Sequence, residues 1–577
     1  MRLFYRPWFR IAACSCLAAF GLWWPAFRRP FATGFGDWQF FHHMWEAGYV
    51  ALTRYGEWPL WDPYHCGGIT IFGNPQSQHM SPLYLLALLA GPTLGSKFFV
   101  VVHAWAGFAG MYVLARRYRL SRSAALLAAL AWAASGFFVW HAGTGHAAFL
   151  PFYFAPWLLL ALDAALRDLR WAAALAALLT WVLLEGGVYP FPFFVLLLAF
   201  HALLQLPAAE KRRPLALALL ASALLAALMG ALRLWPIADE LARNPRTMPS
   251  LDAVTLREVF GMLTAREHSW RTPGHPFVWA EYGSFVGYPV CALALLGCAT
   301  GYRRGRRGLV LGALLFLALL MGDHAAYWPW ALLHRLPIFD SLRVPSRFCV
   351  FFTLYLALLA GCGLQLLEDG VRRIAPGFLQ RRLAWLALAL VAGIAVDIAL
   401  VQYPTLDNWK YPAIRQERSP RFYLSELPYG DYYASFPRMN LGSRGCYEAM
   451  NFRPARRLWA GDVPQARVVS GTGTVGPVER TSSRAFFDVD LPEPGRVLIN
   501  HNHAPGWRSN VGEVVSDQGR LAIDLPAGRR HIELRYQPTM WAPSIALSGL
   551  GCALGLLLWW QPWKRSRRRS LHESAAD

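Results

Sequence analysis

Acidic residues and cysteine are both scarce in this chain. It has 35 Asp and Glu against 56 Lys and Arg, which gives a formal net charge of +21 over 577 residues. Nucleic-acid binding requires a concentrated basic face, but here the basic residues are spread over short segments between apolar runs. The nine cysteines include no CxxC pair, so no structural zinc site is expected. The sequence therefore argues against a nucleic-acid partner and against a zinc-stabilised fold.

Apolar residues are abundant instead. Hydrophobic side chains make up 55% of the chain, which also has 26 Trp, and the mean hydropathy is +0.28. Runs of about 17 to 25 apolar residues can cross a bilayer as helices, in which every backbone hydrogen bond is satisfied internally. The sequence predicts a polytopic α-helical membrane protein with about twelve transmembrane helices. They are expected at 11–27, 98–115, 123–141, 149–166, 171–188, 190–206, 215–232, 284–300, 308–322, 348–367, 383–402 and 541–560.

One further apolar piece, 82–92, is too short to cross a bilayer and is broken by Gly91 and Pro92. We expect it to be re-entrant or interfacial.

Basic clusters predict the orientation of these helices, because Lys and Arg in short loops favour the cytoplasmic side. The clusters occupy alternate connections: Arg2/Arg6/Arg10, RRYRLSR (116–122), RDLR (167–170), KRR (211–213), RRGRR (303–307), RR at 372–373 and 381–382, and KRSRRR (564–569). Both termini are therefore predicted to be cytoplasmic, with the long connections 28–97, 233–283 and 403–540 outside. The first apolar run follows basic residues and precedes no cleavage pattern, so it is interpreted as a retained signal anchor.

Three regions follow from this pattern. Residues 1–402 form the multi-helix transmembrane domain, with an exterior first loop at 28–97. Residues 403–540 are predicted to be an exterior, periplasmic β-rich domain, because RAFFDVDL, RVLINHNH, RLAIDL and HIELRYQP alternate in polarity between turn sequences. A small β-sandwich is its expected form. Residues 541–577 are the final transmembrane helix and a basic cytoplasmic tail.

Two cysteines, Cys66 and Cys446, lie in the predicted exterior regions. A disulfide could join the first loop to the β-rich domain there. The alternative is that the two residues never meet, and the sequence leaves both open.

The Asp, Glu, His and Arg side chains that could take part in catalysis or binding lie mainly on the predicted exterior side. The cytoplasmic loops carry short basic clusters and hardly any acid or histidine. The active face is therefore predicted to be outside. The candidate catalytic residue is Asp37, the candidate phosphate ligands are Arg343 and Arg347, and the candidate substrate-binding residues are Glu57, Trp61, Asp62, His79, His146, Glu185 and Glu281.

Each candidate has a structural alternative. Asp37 precedes an amphipathic stretch and could be an ordinary helix N-cap. Glu185 follows an apolar helix before Gly186 and Gly187, where an acid either faces a cavity or caps the next helix. His146, in the glycine-rich turn HAGTGH (141–146), could bind a hydroxyl or be a satisfied loop histidine.

Arg343 and Arg347 stand four residues apart at the predicted entrance of a helix. Guanidinium groups there suit a phosphate, or they contact lipid headgroups by snorkelling. The segment GEWPLWDPYHCGG (56–68) places Trp61 and Asp62 among prolines and aromatic residues. Such a loop can stack on sugar rings or anchor at the membrane interface.

The chain resembles the YfhO-like bacterial membrane proteins of the GT-C glycosyltransferase superfamily. The similar features, in order, are Gly36-Asp37, GEWPLWDPYHCGG, the stretch 103–137, Gly145-His146, LRVPSRF (342–348), APGWRSN and LPAGRRHIELRYQP. The stretch NHNH (500–503) departs from the family where aromatic residues are expected. Its His-x-His spacing could contribute to a metal site, but no third ligand is evident.

The resemblance implies a glycosyltransferase in the bacterial inner membrane that uses a polyprenyl-phosphate-linked sugar donor and a glycan, lipid or protein acceptor. It gives Asp37 the role of catalytic base, with Arg343 and Arg347 on the donor phosphate. No nucleotide-sugar site is required, and the cytoplasmic segments contain no Rossmann-type glycine fingerprint. No cofactor is assigned, although a divalent metal is compatible with the site. Two other functions stay open: a transporter or flippase, and a non-catalytic glycan-assembly protein.

Overall fold

A computed structural model describes residues 7–301, 306–374, 376–426 and 432–560 of the protein. The predicted basic tail, 561–577, lies outside these ranges. The helices are α1 (Pro7–Phe27), α2 (Trp38–Tyr55), α3 (Leu85–Ala90), α4 (Pro92–Arg117), α5 (Arg122–Ala133), α6 (Gly136–Thr144), α7 (Ala155–Ala165), α8 (Trp171–Leu184), α9 (Pro190–Leu203), α10 (Ala209–Met229), α11 (Ala231–Arg243), α12 (Leu256–Thr264), α13 (Tyr288–Gly301), α14 (Arg307–Leu320), α15 (Pro329–Leu333), α16 (Cys349–Ile374), α17 (Gly377–Leu406), α18 (Phe436–Met439) and α19 (Trp541–Trp560).

The strands are β1 (Trp61–Asp62), β2 (Ile69–Thr70), β3 (Tyr423–Ser425), β4 (Leu441–Ser443), β5 (Ala466–Ser470), β6 (Thr474–Val475), β7 (Glu479–Arg480), β8 (Arg484–Leu491), β9 (Gly495–Asn502), β10 (Trp507–Ser509), β11 (Glu513–Asp517), β12 (Arg520–Leu525) and β13 (Gly528–Tyr536).

Among the described residues, eight stretches of helix are long and apolar enough to cross a membrane, so the chain is a multi-helix membrane protein by length and composition. They are Pro7–Phe27, Pro92–Arg117, Arg122–Thr144, Ala147–Ala165, Ala209–Met229, Pro345–Ile374, Arg382–Leu406 and Trp541–Trp560. The other four predicted crossings are shorter apolar helices: Trp171–Leu184, Pro190–Leu203, Tyr288–Ala299 and Arg307–Leu320. The expected number of about twelve is therefore not confirmed.

One of these shorter helices ends where its sequence breaks the helix. α8 stops at Glu185 because Gly186 adopts a positive φ of 69°, and α9 then starts at Pro190. The short piece 82–92 likewise ends at Gly91, whose φ is 79°.

Small residues let two of the central helices touch through their backbones. A Cβ built on Gly297 of α13 would lie 1.9 Å from the carbonyl oxygen of Leu359, and one on Gly363 of α16 would lie 1.9 Å from that of Leu293. Glycine is therefore required at both positions for this close packing of α13 on α16.

The strands after residue 465 form two sheets that share one apolar core. One sheet has the order β10-β13-β8-β6, with β7 also paired to β8, and the other has the order β11-β12-β9-β5. Phe487 and Ile532 of the first sheet and Ile499 and Ile523 of the second are buried in the same cluster. Alternation of apolar and polar residues places one face of each strand inside, which gives a β-sandwich.

The first loop, residues 28–97, is held against this sandwich. Trp61 is buried in the sandwich core, where its Nε1 donates to Nε2 of His501 at 3.2 Å. Cys66 and Cys446 form a disulfide, so the alternative that they never meet is wrong. These contacts fix the first loop between the helices and the β-sandwich.

Candidate functional site

A cavity of about 430 Å³ opens where the first loop, the helix ends and residues 447–451 converge. Its volume is within the range of small-molecule binding sites. The lining residues are Asp37, Phe41, Gln76, His146, Ala148, Phe149, Tyr189, Arg246, Thr247, Met248, Glu281, Arg343, Arg347, Tyr447, Glu448, Ala449, Met450 and Asn451. Five of the ten residues predicted from the sequence are among them: Asp37, His146, Glu281, Arg343 and Arg347.

Asp37 precedes α2, yet its side chain makes no capping hydrogen bond to that helix. One carboxylate oxygen, Oδ1, accepts a 2.8 Å hydrogen bond from the Tyr447 hydroxyl, and Oδ2 lies 3.6 Å from Nε2 of His146. The side chain is 30% exposed. The carboxylate therefore faces the cavity rather than the start of its own helix.

Two glycines with positive φ allow the backbone around Asp37 to pack this closely. Gly36 has φ 67°, and a Cβ there would lie 2.5 Å from the carbonyl oxygen of Thr144. Gly145 has φ 97°, and a Cβ there would lie 2.0 Å from the backbone nitrogen of Trp38. The Asp37 N–H donates to Thr144 O at 2.9 Å across the contact. Any side chain at either glycine would separate Asp37 from the turn that carries His146.

His146 is oriented by His141, because their Nδ1 atoms are 2.6 Å apart and one must donate to the other. Nε2 of His141 is buried and makes no hydrogen bond in the described structure. Since an orphaned N–H is rarer than an orphaned acceptor, we assign the His141 proton to Nδ1. The His146 proton is then on Nε2, which faces Asp37.

Arg347 and Glu281 form a buried, bidentate ion pair at the base of the cavity. Arg347 Nε donates to Oε2 of Glu281 at 2.8 Å, and one terminal nitrogen donates to Oε1 at 2.6 Å. The guanidinium also lies 4.7 Å from the ring centroid of Phe149 and 4.8 Å from that of Tyr189. Burial opposes ionisation of Glu281, but Arg347 outweighs it and lowers the pKa of this carboxyl. Much of the charge of Arg347 is therefore already compensated.

Arg343 and Arg246 are the other two cations of the cavity. Arg343 is exposed and forms no ion pair with a described residue; its guanidinium lies 5.5 Å from the ring centroid of Phe277. Arg246, which the sequence did not single out, donates to the carbonyl of Ala449. No sequence signal points to Arg246, since it stands in a connection without a recognisable motif.

Tyr447 and Glu448 are also functional candidates that sequence reasoning missed. Glu448 accepts hydrogen bonds from Nδ2 of Asn74 at 2.9 and 3.1 Å, and Nε2 of His65 lies 3.1 Å from its Oε1. The Glu448 side chain is only 2% exposed. The disulfide at Cys446 holds both residues beside the first loop, so a paired Cys66 and Cys446 would have been the signal to look there.

The other five predicted residues contact other parts of the protein and do not line the cavity. Glu57 accepts from the Thr481 hydroxyl at 2.7 Å, and Trp61 is in the sandwich core. Asp62 lies 3.0 Å from Nε2 of His43, and Nε2 of His79 lies 2.7 Å from the carbonyl oxygen of Met44. In each case the partner belongs to the scaffold that positions the first loop.

Glu185 is fully buried and organises the inner side of the first loop. Its carboxylate accepts from Trp181 Nε1 at 2.6 Å and from the Ser81 hydroxyl at 3.1 Å, and Nε2 of His103 lies 2.7 Å away. Gln78 donates to its backbone carbonyl at 3.0 Å. From the sequence, Glu185 was predicted either to face a cavity or to cap the next helix. Its contacts instead join α4, α8 and the first loop.

Within the part of the chain that the structure describes, two groups of side chains contain enough metal-ligand types for a divalent ion. In the first, His141, His146 and Glu281, the two histidines share a hydrogen bond and both Glu281 oxygens bind Arg347. In the second, His65, Cys66 and Cys446, the disulfide uses both sulfurs. Neither donor set is arranged for a metal, and His501 of the His-x-His stretch is hydrogen-bonded to Trp61.

No protein-family model and no curated protein matches the chain. Solved structures are similar to it, among them the following two. The arabinofuranosyltransferase AftD from mycobacteria is 16% identical, with a TM-score of 0.47 over 92% of this chain and 40% of AftD. An oligosaccharyltransferase from Archaeoglobus fulgidus is 13% identical, with a TM-score of 0.38 over 76% of this chain and 62% of that protein. The chain thus spans less than two thirds of either protein, and similarities of this size establish no activity.

Proposed function

We propose that this protein is a membrane glycosyltransferase, which transfers a sugar from a polyprenyl-phosphate-linked donor to a hydroxyl of an acceptor. The observation that carries the proposal is the cavity itself: it combines an accessible carboxylate, Asp37, with the arginines 246, 343 and 347 beside the ends of membrane helices. A base next to a phosphate-binding surface is what glycosyl transfer from a lipid phosphate requires.

In the proposed reaction the acceptor hydroxyl gives its proton to Asp37 as its oxygen attacks the anomeric carbon of the donor. The bond between that carbon and the phosphate oxygen breaks, and the electron pair leaves with the polyprenyl phosphate. Arg343 and Arg246 are placed to stabilise the charge that develops on the phosphate. Arg347 contributes less, because Glu281 already binds it.

Tyr447 and His146 support Asp37 in this role. Both place a hydrogen-bond donor toward the carboxylate, at 2.8 Å and 3.6 Å. Donors of this kind fix the direction of the carboxylate. The base is therefore positioned before the acceptor binds.

The proposed function also implies how the chain is arranged across the membrane. We place the cavity on the outer side of the bacterial inner membrane, with residues 1–402 as the transmembrane domain, 403–540 as a periplasmic domain, and 541–577 as a final helix and cytoplasmic tail. Reporter fusions at residues 305, 375 and 577 should be cytoplasmic and fusions within 455–470 periplasmic. The reverse pattern would place the cavity on the cytoplasmic side and remove the case for a lipid-linked donor.

The catalytic assignment is tested with Asp37→Asn, which keeps the shape of the side chain and removes the base. A general base typically contributes 10²- to 10⁴-fold, so transfer should fall by about that factor. The matched control is Asp488→Asn, because Asp488 is exposed on β8 and pairs only with His531. Lipid-linked sugars and surface glycans of cells carrying each variant are compared by mass spectrometry at equal protein abundance.

An unchanged glycan profile in Asp37→Asn cells would refute the assignment. A purified protein that moves lipid-linked sugars across vesicles without transferring them would instead establish a flippase.

A further inference from the structure

A group of exposed arginines follows, in the sequence, a segment that lines the cavity. It begins after Asn451, a residue of the cavity wall, and comprises Arg453, Arg456 and Arg457 in the sequence RPARR, which we call the arginine loop (residues 453–457). All three side chains are exposed, and none forms an ion pair with a described residue. Unpaired like charges so close in sequence repel each other, so they do not stabilise the fold.

The arginine loop is fixed in place rather than free. At one end Asn451 Nδ2 lies 3.4 Å from the carbonyl oxygen of Pro245, beside Arg246. In the middle the backbone N–H of Ala455 donates to Oδ1 of Asn502 at 2.9 Å, and just beyond the loop that of Trp459 donates to Oδ1 of Asn500 at 3.0 Å. Both asparagines belong to β9 of the sandwich, so the loop connects the cavity wall to the β-sandwich.

Two neighbouring arginines enlarge the positive surface. Arg444 donates to the carbonyl of Leu458 at 3.3 Å, and the Arg467 guanidinium lies 4.5 Å from the ring centroid of Trp459. Between residues 444 and 467 there are five arginines and two acids, Glu448 and Asp462. Glu448 is buried against His65 and Asn74, so the exposed part of this segment is strongly positive.

The donor phosphate does not account for this surface. Its lipid chain must stay with the apolar helices, and Arg343 lies just before the membrane span Pro345–Ile374. The arginine loop is bonded to the β-sandwich instead. A second anionic molecule is therefore needed, one that approaches from the β-sandwich and reaches the cavity.

A lipid surface fits the arginine loop poorly. Segments that bind at a membrane interface combine basic residues with exposed Trp, Phe or Leu. Within residues 444–467 the exposed large hydrophobic side chain is Tyr447, whose hydroxyl is bonded to Asp37 in the cavity. A hydrated, flexible polyanion matches a surface of arginines without apolar anchors.

We infer that the arginine loop binds an anionic glycan, the acceptor of the proposed transfer, and guides its end into the cavity. That this glycan is the acceptor rests on the proposed function, whereas its binding to the arginine loop does not depend on catalysis. The positive surface would raise the local concentration of the polyanion and orient it toward Asp37.

The test measures binding of polygalacturonate, a polymer of uronic acid, to the purified full-length protein in detergent at two salt concentrations. Arg453→Gln, Arg456→Gln and Arg457→Gln are combined in one variant. The matched control combines Arg508→Gln, Arg529→Gln and Arg530→Gln, which remove the same charge from exposed positions on β10 and β13. Neutral dextran, and nanodiscs with anionic or neutral lipids, are the comparison ligands.

We expect the arginine-loop variant to weaken polygalacturonate binding on the order of five- to tenfold at low salt, the control variant to bind like the parent, and dextran not to bind. High salt should reduce the difference, since these charges are exposed. Equal losses in the two variants would reduce the effect to net charge and overturn the inference, as would binding of anionic nanodiscs but not of polygalacturonate.

Asp37→Asn separates the two proposals. Polygalacturonate binding is measured without a donor on the parent and arginine-loop proteins, and sugar transfer is measured on Asp37→Asn. If Asp37→Asn still transfers sugar, the proposed function fails, while the binding of polygalacturonate to the arginine loop stands. If the arginine-loop variant binds polygalacturonate like the parent, only the proposed glycan binding fails.

Discussion

The hydroxyl of Tyr447 donates a 2.8 Å hydrogen bond to Oδ1 of Asp37, although 410 positions separate the two residues. Burial of the phenol and the neighbouring carboxylate both raise the pKa of Tyr447, so it stays a protonated donor at neutral pH. The segment after the disulfide at Cys446 therefore completes a site that begins in the first loop.

Tyr447→Phe should slow transfer while leaving the fold intact, because it removes the donor that fixes the direction of the Asp37 carboxylate. A hydrogen bond to a charged group contributes about 1.5 to 3 kcal/mol. The rate of transfer should therefore fall on the order of tenfold to a hundredfold. Tyr327→Phe, at a residue that is 77% exposed, is the control. Equal rates for the two variants would show that the hydrogen bond does not act on the proposed base.

Arg343 and Arg347 should respond differently to substitution, although both were predicted to bind phosphate. Arg347→Gln leaves Glu281 buried without its partner and should cost about 3 to 5 kcal/mol of stability. Arg343→Gln changes an exposed side chain, so stability should change by less than about 0.5 kcal/mol, while binding of a polyprenyl phosphate should weaken on the order of tenfold. Thermal unfolding and native mass spectrometry measure the two effects. Equal stability of both variants would contradict the buried ion pair.

Loss of the Cys66–Cys446 disulfide should loosen residues 441–451. Removing a native cross-link typically costs about 2 to 5 kcal/mol, through a less constrained unfolded state. The double variant Cys66→Ser, Cys446→Ser should unfold at a lower temperature and exchange its amide hydrogens faster in this segment. Cys552→Ser is the control, because Cys552 is free and exposed. If exchange at 441–451 is unchanged, packing alone holds Tyr447 and Glu448.

Glu185→Ala should destabilise the protein severely, since it leaves buried donors on Trp181 and Ser81 without an acceptor. We expect a loss of about 3 kcal/mol or more, and low abundance in the membrane. The control Glu210→Ala replaces an exposed acid at the start of α10 and should be neutral. A stable Glu185→Ala protein with impaired transfer would assign Glu185 to substrate binding after all.

Glu46 should give the protein a pH-dependent stability. Burial raises its pKa from 4.5 to about 7, against the opposing effect of Arg438. Between these values the folded protein holds a proton that the unfolded chain releases, so stability falls as pH rises from 4.5 to 7. Glu46→Gln should remove this slope, as measured by the difference in unfolding temperature between the two proteins across that interval. Parallel curves would show that Glu46 is ionised throughout.

Local patterns determined the elements of this fold. Alternating polarity located β8 and β12 at RAFFDVDL and RLAIDL, because side chains of a strand point to opposite faces whatever lies beyond them. The length of the apolar runs located the helices, because a helix that crosses a membrane must span the thickness of the bilayer. The residue types around Asp37 left a helix cap and a catalytic base both open, and the role of base came from the resemblance to the GT-C superfamily.

Only the tertiary structure decided which polar residues share the cavity. It brought Tyr447, Glu448 and Arg246 to Asp37 from connections that carry no common motif, and it placed Glu185 and Asp62 among scaffold contacts. Exposure to a cavity depends on how distant segments pack. Here the Cys66–Cys446 disulfide and the burial of Trp61 in the β-sandwich determine that packing. Residue type and spacing do not encode it, since the same buried acid can serve a substrate or a neighbouring helix.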